Sequence, residues 1–279
     1  MSTDAPDVIS WILKVLVVVV LGFPALVYLL QDRLIFFPQP LSDAARLDLA
    51  RRYPGVREIF LQSDDGVKLH AWHLPVRRAG RSASPLVLYF GGNAEEVSWM
   101  LDEARTRTPT LAWLLVDYRG YGGSGGAPSE AALTADALAW YDLAATLQDV
   151  DAKRILVFGR SLGSGVAVHV VSRRNVAGVI LVTPFDSLAS VAQRHYPYLP
   201  VNWMLRHRFD SIGVAPQLRT PMLCLTAMQD EVIPADHARR LYEAWGGPKQ
   251  WVALEGASHN TTDDRANFWP SIVAFLSNP

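Results

Sequence analysis

Six short apolar runs recur along the chain, at 85–90 (PLVLYF), 111–117 (LAWLLVD), 155–158 (ILVF), 179–183 (VILVT), 221–226 (PMLCLT) and 250–254 (QWVAL). Runs this short and this uniformly apolar suit strands covered on both faces. Helix-compatible stretches alternate with them, over about 95–107, 129–147, 164–171, 235–245 and 264–276, and that alternation predicts an α/β fold whose mostly parallel central sheet is covered by helices on both faces. Ahead of these, 56–61 and 67–74 alternate as two strands around Ser63-Asp64-Asp65-Gly66, a hairpin turn that places an antiparallel pair at one edge of the sheet. Two stretches break the rhythm. Residues 184–217 form an aromatic-rich, mostly helical insertion holding Tyr196, Tyr198, Trp203 and Phe209, positioned as a small cap over the sheet edge. Residues 11–30 (WILKVLVVVVLGFPALVYLL) carry one charge, Lys14, and no polar face. Twenty helical residues reach about 30 Å, the depth of a bilayer core.

The chain is therefore expected to divide into a membrane anchor at 1–31, with a single transmembrane helix at about 11–30, and an α/β domain at 32–279 that includes the cap at about 184–217. Arg33, Arg46, Arg51 and Arg52 follow the apolar segment and only Lys14 lies at its start, a bias that puts the domain on the cytoplasmic side. With 26 basic and 27 acidic residues the chain shows no electrostatic footprint for nucleic acid. Cys224, the single cysteine, excludes an internal disulfide and a thiolate metal cluster, and its apolar neighbours make it a buried hydrophobe. His70 and His73 fall three apart on a strand, so they face opposite ways and cannot share a metal; they are read as packed or solvated side chains. No cofactor or metal site is expected. The glycines of 120–125 match G-x-G-x-x-G, but Ala127-Pro128 separates them from the next helix and several strands precede them, which argues against a dinucleotide site.

The chemistry gathers around 155–165 (ILVFGRSLGSG). A strand, Gly159-Arg160-Ser161-Leu162-Gly163 and a helix follow one another directly, the pattern of a nucleophile elbow that lifts a serine hydroxyl clear of the sheet. A second G-x-S-x-G, Gly122 to Gly126, lacks that context and is expected to be a loop too flexible to pin Ser124. Asp230 and His259 each fall in a loop at the carboxyl end of a strand, on the same sheet edge as Ser161, in the order Ser, Asp, His of the α/β hydrolases. Ser161 is the expected nucleophile, His259 its base and Asp230 the acid that orients the imidazole. Asp236, Asp263, His195, His207 and His237 compete for these roles but fall in helices or in the histidine's own loop. The backbone N–H of Leu162, with that of Asn93 or Ala94 after Gly91-Gly92, is the expected oxyanion hole.

These residues resemble the membrane-anchored branch of serine α/β hydrolases, the BEM46-like or ABHD13/ABHD17-like group, over nearly the whole chain. The resemblance is carried by 31–38 (QDRLIFFP), 117–122 (DYRGYG), the GRSLG elbow, Tyr196-Pro197 through 205–210 (LRHRFD), 230–234 (DEVIP) and Ser258-His259-Asn260. Where the group has His-Gly-Asn-Ala-Gly at the oxyanion loop, this chain has Gly91-Gly92-Asn93-Ala94-Glu95. The resemblance implies hydrolysis of esters, lipids or acyl thioesters. The expectation is thus a serine hydrolase acting on carboxylic esters or thioesters of hydrophobic acyl groups, presented as small molecules or lipids at a bilayer. A serine peptidase using the same three side chains and a silent membrane scaffold are the alternatives.

Overall fold

The structure, a computed structural model, describes residues 5–76 and 83–278. Residues 1–4 of the expected anchor and residue 279 lie outside the described residues.

The chain begins with helices α1 (Ala5–Val17) and α2 (Phe23–Ile35), joined through a π-helical turn at Val18–Gly22. This differs from the single transmembrane helix expected at about 11–30. Pro24, in the first turn of α2, supplies no N–H and its ring crowds the carbonyl four residues earlier, so the regular ladder gives way to wider turns just before it. Each 13-residue helix rises about 20 Å, short of a bilayer core of about 30 Å. Among the described residues no helix is long and apolar enough to cross a membrane. The sidedness drawn from flanking arginines presupposes a span and lapses with it. What remains is an arm with a large exposed apolar surface, including Trp11 (65% exposed), Leu16, Phe23, Leu26 and Leu29 (72%).

After α3 (Asp43–Arg52), capped by the Ser42 hydroxyl, come strands β1 (Arg57–Gln62), β2 (Lys68–Leu74), β3 (Ser84–Phe90), helix α4 (Met100–Arg107), β4 (Ala112–Asp117), α5 (Glu130–Ala144), β5 (Val150–Arg160), α6 (Leu162–Arg173) and β6 (Gly178–Val182). The insertion holds α7 (Leu188–His195), α8 (Val201–Met204) and α9 (Ser211–Val214); β7 (Met222–Ala227), α10 (Ala235–Ala244), β8 (Lys249–Leu254) and α11 (Phe268–Ser277) complete the chain. Eight strands form one sheet in the order β1-β2-β4-β3-β5-β6-β7-β8. β1 pairs antiparallel with β2 and β2 with β4, and every later pairing is parallel.

Alternation along the strands divides the core into two layers. Leu86, Leu88 and Phe90 of β3, Ile155 and Val157 of β5, and Met222 and Cys224 of β7 face a layer built with Trp140 of α5, Val166 and Val170 of α6 and Leu241 of α10. Val87, Tyr89, Leu156, Phe158, Leu223 and Leu225 face the other layer, with Met100 of α4 and Phe268 and Ile272 of α11. Burial on both faces explains why these strands read as unbroken apolar runs. Cys224 is 1% exposed, and that burial pushes its thiol up to about 12. His70 and His73 are packed, not solvated: His70 Nδ1 lies 2.6 Å from Asp117 Oδ2, and His73 Nε2 lies 3.0 Å from Asp149 Oδ2.

Candidate active site

β5 ends at Arg160 and α6 begins at Leu162, so Ser161 alone makes the turn between them. Its backbone sits at φ 51°, ψ −117°, a region that costs an ordinary side chain about 1–3 kcal/mol. The surroundings leave no alternative path. A Cβ on Gly163 would enter the carbonyl oxygen of Phe90, and one on Gly159 would lie 2.7 Å from Ala167 Cβ. Helix and strand therefore approach as closely as glycine permits, and Ser161 N–H is held by Val182 O at 2.9 Å.

Asp230 lies in the loop after β7 and His259 in the loop after β8. The parallel strands bring both to the edge that carries Ser161. His259 Nε2 lies 2.9 Å from Ser161 Oγ, and His259 Nδ1 lies 2.7 Å from Asp230 Oδ2. An ionised Asp230 can only accept, so Nδ1 carries the proton and Nε2 offers its lone pair to the serine hydroxyl. The other oxygen, Asp230 Oδ1, accepts from Val232 N–H at 2.9 Å and Ile233 N–H at 2.7 Å, which fixes the carboxylate's orientation. Asp230 is sealed from solvent at its side chain while His259 keeps 12% exposure, so the chain of hydrogen bonds opens outward only at its reactive end.

The loop after β3 closes against the elbow: a Cβ on Gly92 would lie 3.6 Å from Ser161 Cβ. Its N–H groups divide clearly. Gly92 N–H donates to Glu95 Oε2 at 2.5 Å, and Ala94 N–H donates to Asn93 Oδ1 at 3.1 Å. The Asn93 and Leu162 N–H groups make no hydrogen bond to any described residue. Of the two expected loop donors, Asn93 is thus the one left unengaged.

The rivals are occupied elsewhere. Asp236 accepts from Arg240, and His237 pairs with Asp186 at 2.7 Å. His195 donates from Nε2 to Val232 O, and Asp263 lies 3.7 Å from Arg160. His207 lies outside any helix, not in one as expected, with Nε2 2.7 Å from Asp32 Oδ1. Ser124 is a loop residue, yet it is not loosely held: its hydroxyl donates to Asp117 O and accepts from His70 N–H, both at 2.8 Å. Among the described residues no group of three or more His, Cys, Asp or Glu side chains is placed to hold a metal ion.

Glu95 is the residue that sequence reasoning missed. It was expected to open a helix, but α4 begins at Met100 after a 3-10 turn at Val97–Trp99. Its carboxylate turns inward and accepts from Tyr89 O–H at 2.5 Å, Trp99 Nε1 at 2.9 Å and Gly92 N–H. Burial and the neighbouring Glu95 charge hold the Tyr89 phenol well above its ordinary range. The only signal was negative, a glutamate where the group that the sequence resembles carries glycine. Arg160, the variable residue of the elbow, lies over the Trp99 ring at 5.6 Å and was likewise unassigned.

Residues 128–278 match the serine hydrolase family. An uncharacterized Mycobacterium tuberculosis protein, Rv2307c, is 35% identical over 252 residues, covering 89% of this chain and 87% of its own. The yeast uncharacterized membrane protein YNL320W is 29% identical, covering 90% of each chain, and the zebrafish lysophosphatidylserine lipase ABHD12 is 29% identical over 66% of this chain and 57% of its own. Among solved structures the Pyrococcus furiosus esterase Pf2001 superposes with a TM-score of 0.64 at 18% identity, covering 86% of this chain and 98% of the esterase, a likeness of fold.

Proposed function

Because this chain belongs to the serine hydrolase family and has the α/β-hydrolase fold, we propose that it cleaves carboxylic ester or thioester bonds of hydrophobic acyl substrates through a Ser161 acyl-enzyme. The observation that carries this reading is the hydrogen-bonded chain from Ser161 Oγ through both nitrogens of His259 to Asp230. Ser161 Oγ attacks the acyl carbon as its proton passes to His259 Nε2, and the carbonyl oxygen takes up the negative charge. The N–H groups of Leu162 and Asn93 receive that oxyanion. Collapse breaks the bond to the leaving alcohol or thiol, which takes the proton from His259. Water then repeats the sequence, with His259 again as base, to release the acid and restore the Ser161 hydroxyl.

A hydrophobic acyl group fits the rim of the site. Exposed Met228 and Val232 flank Asp230, and Tyr196, Tyr198 and Trp203 stand exposed on the insertion, which His195 ties to the Asp230 loop. The lipase name of the zebrafish relative points the same way. The exposed apolar surface of the arm supports a place at a lipid bilayer, as does the yeast relative's description as a membrane protein. Residues 31–38 support membership of the membrane-anchored BEM46-like subgroup.

Hydrolysis of p-nitrophenyl butyrate by the full chain, with and without Ser161→Ala, tests the core of this reading. The substitution should lower kcat about 10^5-fold and abolish fluorophosphonate labelling. Parent-like turnover by Ser161→Ala would refute it. A parent protein that fails to float with liposomes would remove the bilayer from the account.

A further inference from the structure

The side chain of Asn93 does more than occupy the loop. Its Nδ2 donates to Ile35 O at 2.5 Å, and its Oδ1 accepts from Phe37 N–H at 3.0 Å and from Tyr121 O–H at 2.7 Å, besides Ala94 N–H. Phe37 N–H also reaches Tyr121 Oη, and Tyr121 is 1% exposed. One amide thus joins the end of α2, the glycine loop after β4 and the loop beside Ser161. Ile35, Phe37 and Tyr121 lie 28 to 58 residues away in sequence.

The segment that Asn93 grips is itself fixed to the insertion. Gln31, 4% exposed, donates from Nε2 to Met204 O and accepts at Oε1 from Arg206 N–H at 2.7 Å. Asp32 Oδ1 pairs with Arg206 Nη2 at 2.9 Å and His207 Nε2 at 2.7 Å, and Phe36 packs edge-on against His207. The loop being held is under strain. Ala94 stands at φ 57°, where a residue with a Cβ rarely rests. The bonds of Asn93 offset that strain, and without them relaxation at Ala94 would redraw the backbone of 92–94, including the Asn93 N–H proposed to bind the oxyanion.

We infer that Asn93 is a positioning residue through which the N-terminal arm and the insertion set the oxyanion loop, so that turnover depends on the arm being seated. This rests on the proposed role of Ser161. The Asn93 backbone N–H would touch the substrate, whereas the Asn93 side chain acts only by holding that N–H in place.

The test is a double-mutant cycle on the full chain with p-nitrophenyl butyrate. Asn93→Ala should lower kcat about 30-fold, a good part of what losing one oxyanion donor costs, with KM within about twofold of the parent. Gln31→Ala combined with Asp32→Ala, which loosens the arm without touching the loop, should lower kcat about fivefold in the parent and not at all in the Asn93→Ala background, because two changes on one linkage do not add. Tyr121→Phe, which keeps the ring, should give a smaller fall in kcat and serves if Asn93→Ala does not fold. Unchanged kcat in both Asn93→Ala and Tyr121→Phe, or effects of arm and loop that multiply independently, would overturn the inference while leaving the hydrolase reading intact. Parent-like turnover by Ser161→Ala would instead remove the reading beneath it.

Discussion

The chain contains G-x-S-x-G twice, and the two copies distribute strain in opposite ways. At 159–163 the serine itself takes the left-handed backbone, and the glycines supply room for a strand and a helix to touch. At 122–126 Gly122 and Gly126 take the positive φ values, 49° and 75°, and Ser124 keeps an ordinary conformation. The consequences differ accordingly. Ser161 offers its hydroxyl to an imidazole at the sheet edge, whereas Ser124 has both hydrogen-bonding capacities of its hydroxyl used by backbone, which knits the glycine loop to β2. A serine is made available for chemistry by what confines its backbone, and a serine free to relax serves as a strut.

The sharpest way to break this contrast is to add one methyl group to the elbow. Gly163→Ala would drive a Cβ into backbone oxygen that cannot yield, and we expect a loss of at least about 4 kcal/mol, read as failure to purify folded protein or as a collapsed urea midpoint. The complementary change, Ser124→Ala, leaves Asp117 O and His70 N–H without a partner in a buried setting. It should cost about 1–3 kcal/mol in chemical denaturation while kcat stays near the parent value. A large fall in kcat at unchanged stability would show that the second motif takes part in turnover. The smallest effect concerns how that second loop is braced. Arg119, just ahead of Gly120, forks between Asp136 and Asp65, and its hydrogen bonds hold the Asp65 carboxyl well below the usual range. A carboxyl lowered in the folded state stabilises above its unfolded value near 3.8 and ceases to do so as pH falls through the folded value. The parent's urea midpoint should therefore drop more steeply below about pH 4 than that of Asp65→Asn. Equal slopes would mean that the pair contributes nothing to the loop.

The sheet and the positions of Ser161, Asp230 and His259 were legible in the sequence because each depends on near neighbours. Apolar runs mark strands buried on both faces, and residues just past a strand's carboxyl end share an edge by topology alone. The arm was misread as one span because hydropathy averages over Pro24, while the hydrogen-bond ladder does not. Ser124 was placed correctly in a loop, but its firm hold was missed because a run of glycines suggests mobility, and nothing local reveals that β2 supplies a partner from 54 residues away. The Asn93 side chain escaped for the same reason, since Ile35 and Tyr121 lie 58 and 28 residues away. Glu95 escaped although Gly92, Trp99 and Tyr89 are close in sequence, because a helix was expected to begin there and a helical glutamate would face outward.

Cys224 has a practical consequence. The single thiol lies in β7, the strand that leads to Asp230, under a helix layer and almost out of reach of solvent. Alkylating reagents can meet it only when the middle of the sheet parts, and a reagent's uptake therefore times that opening without regard to insertion, arm or rim. The molecule carries its own clock for the breathing of its interior, placed in the strand whose end leads to Asp230.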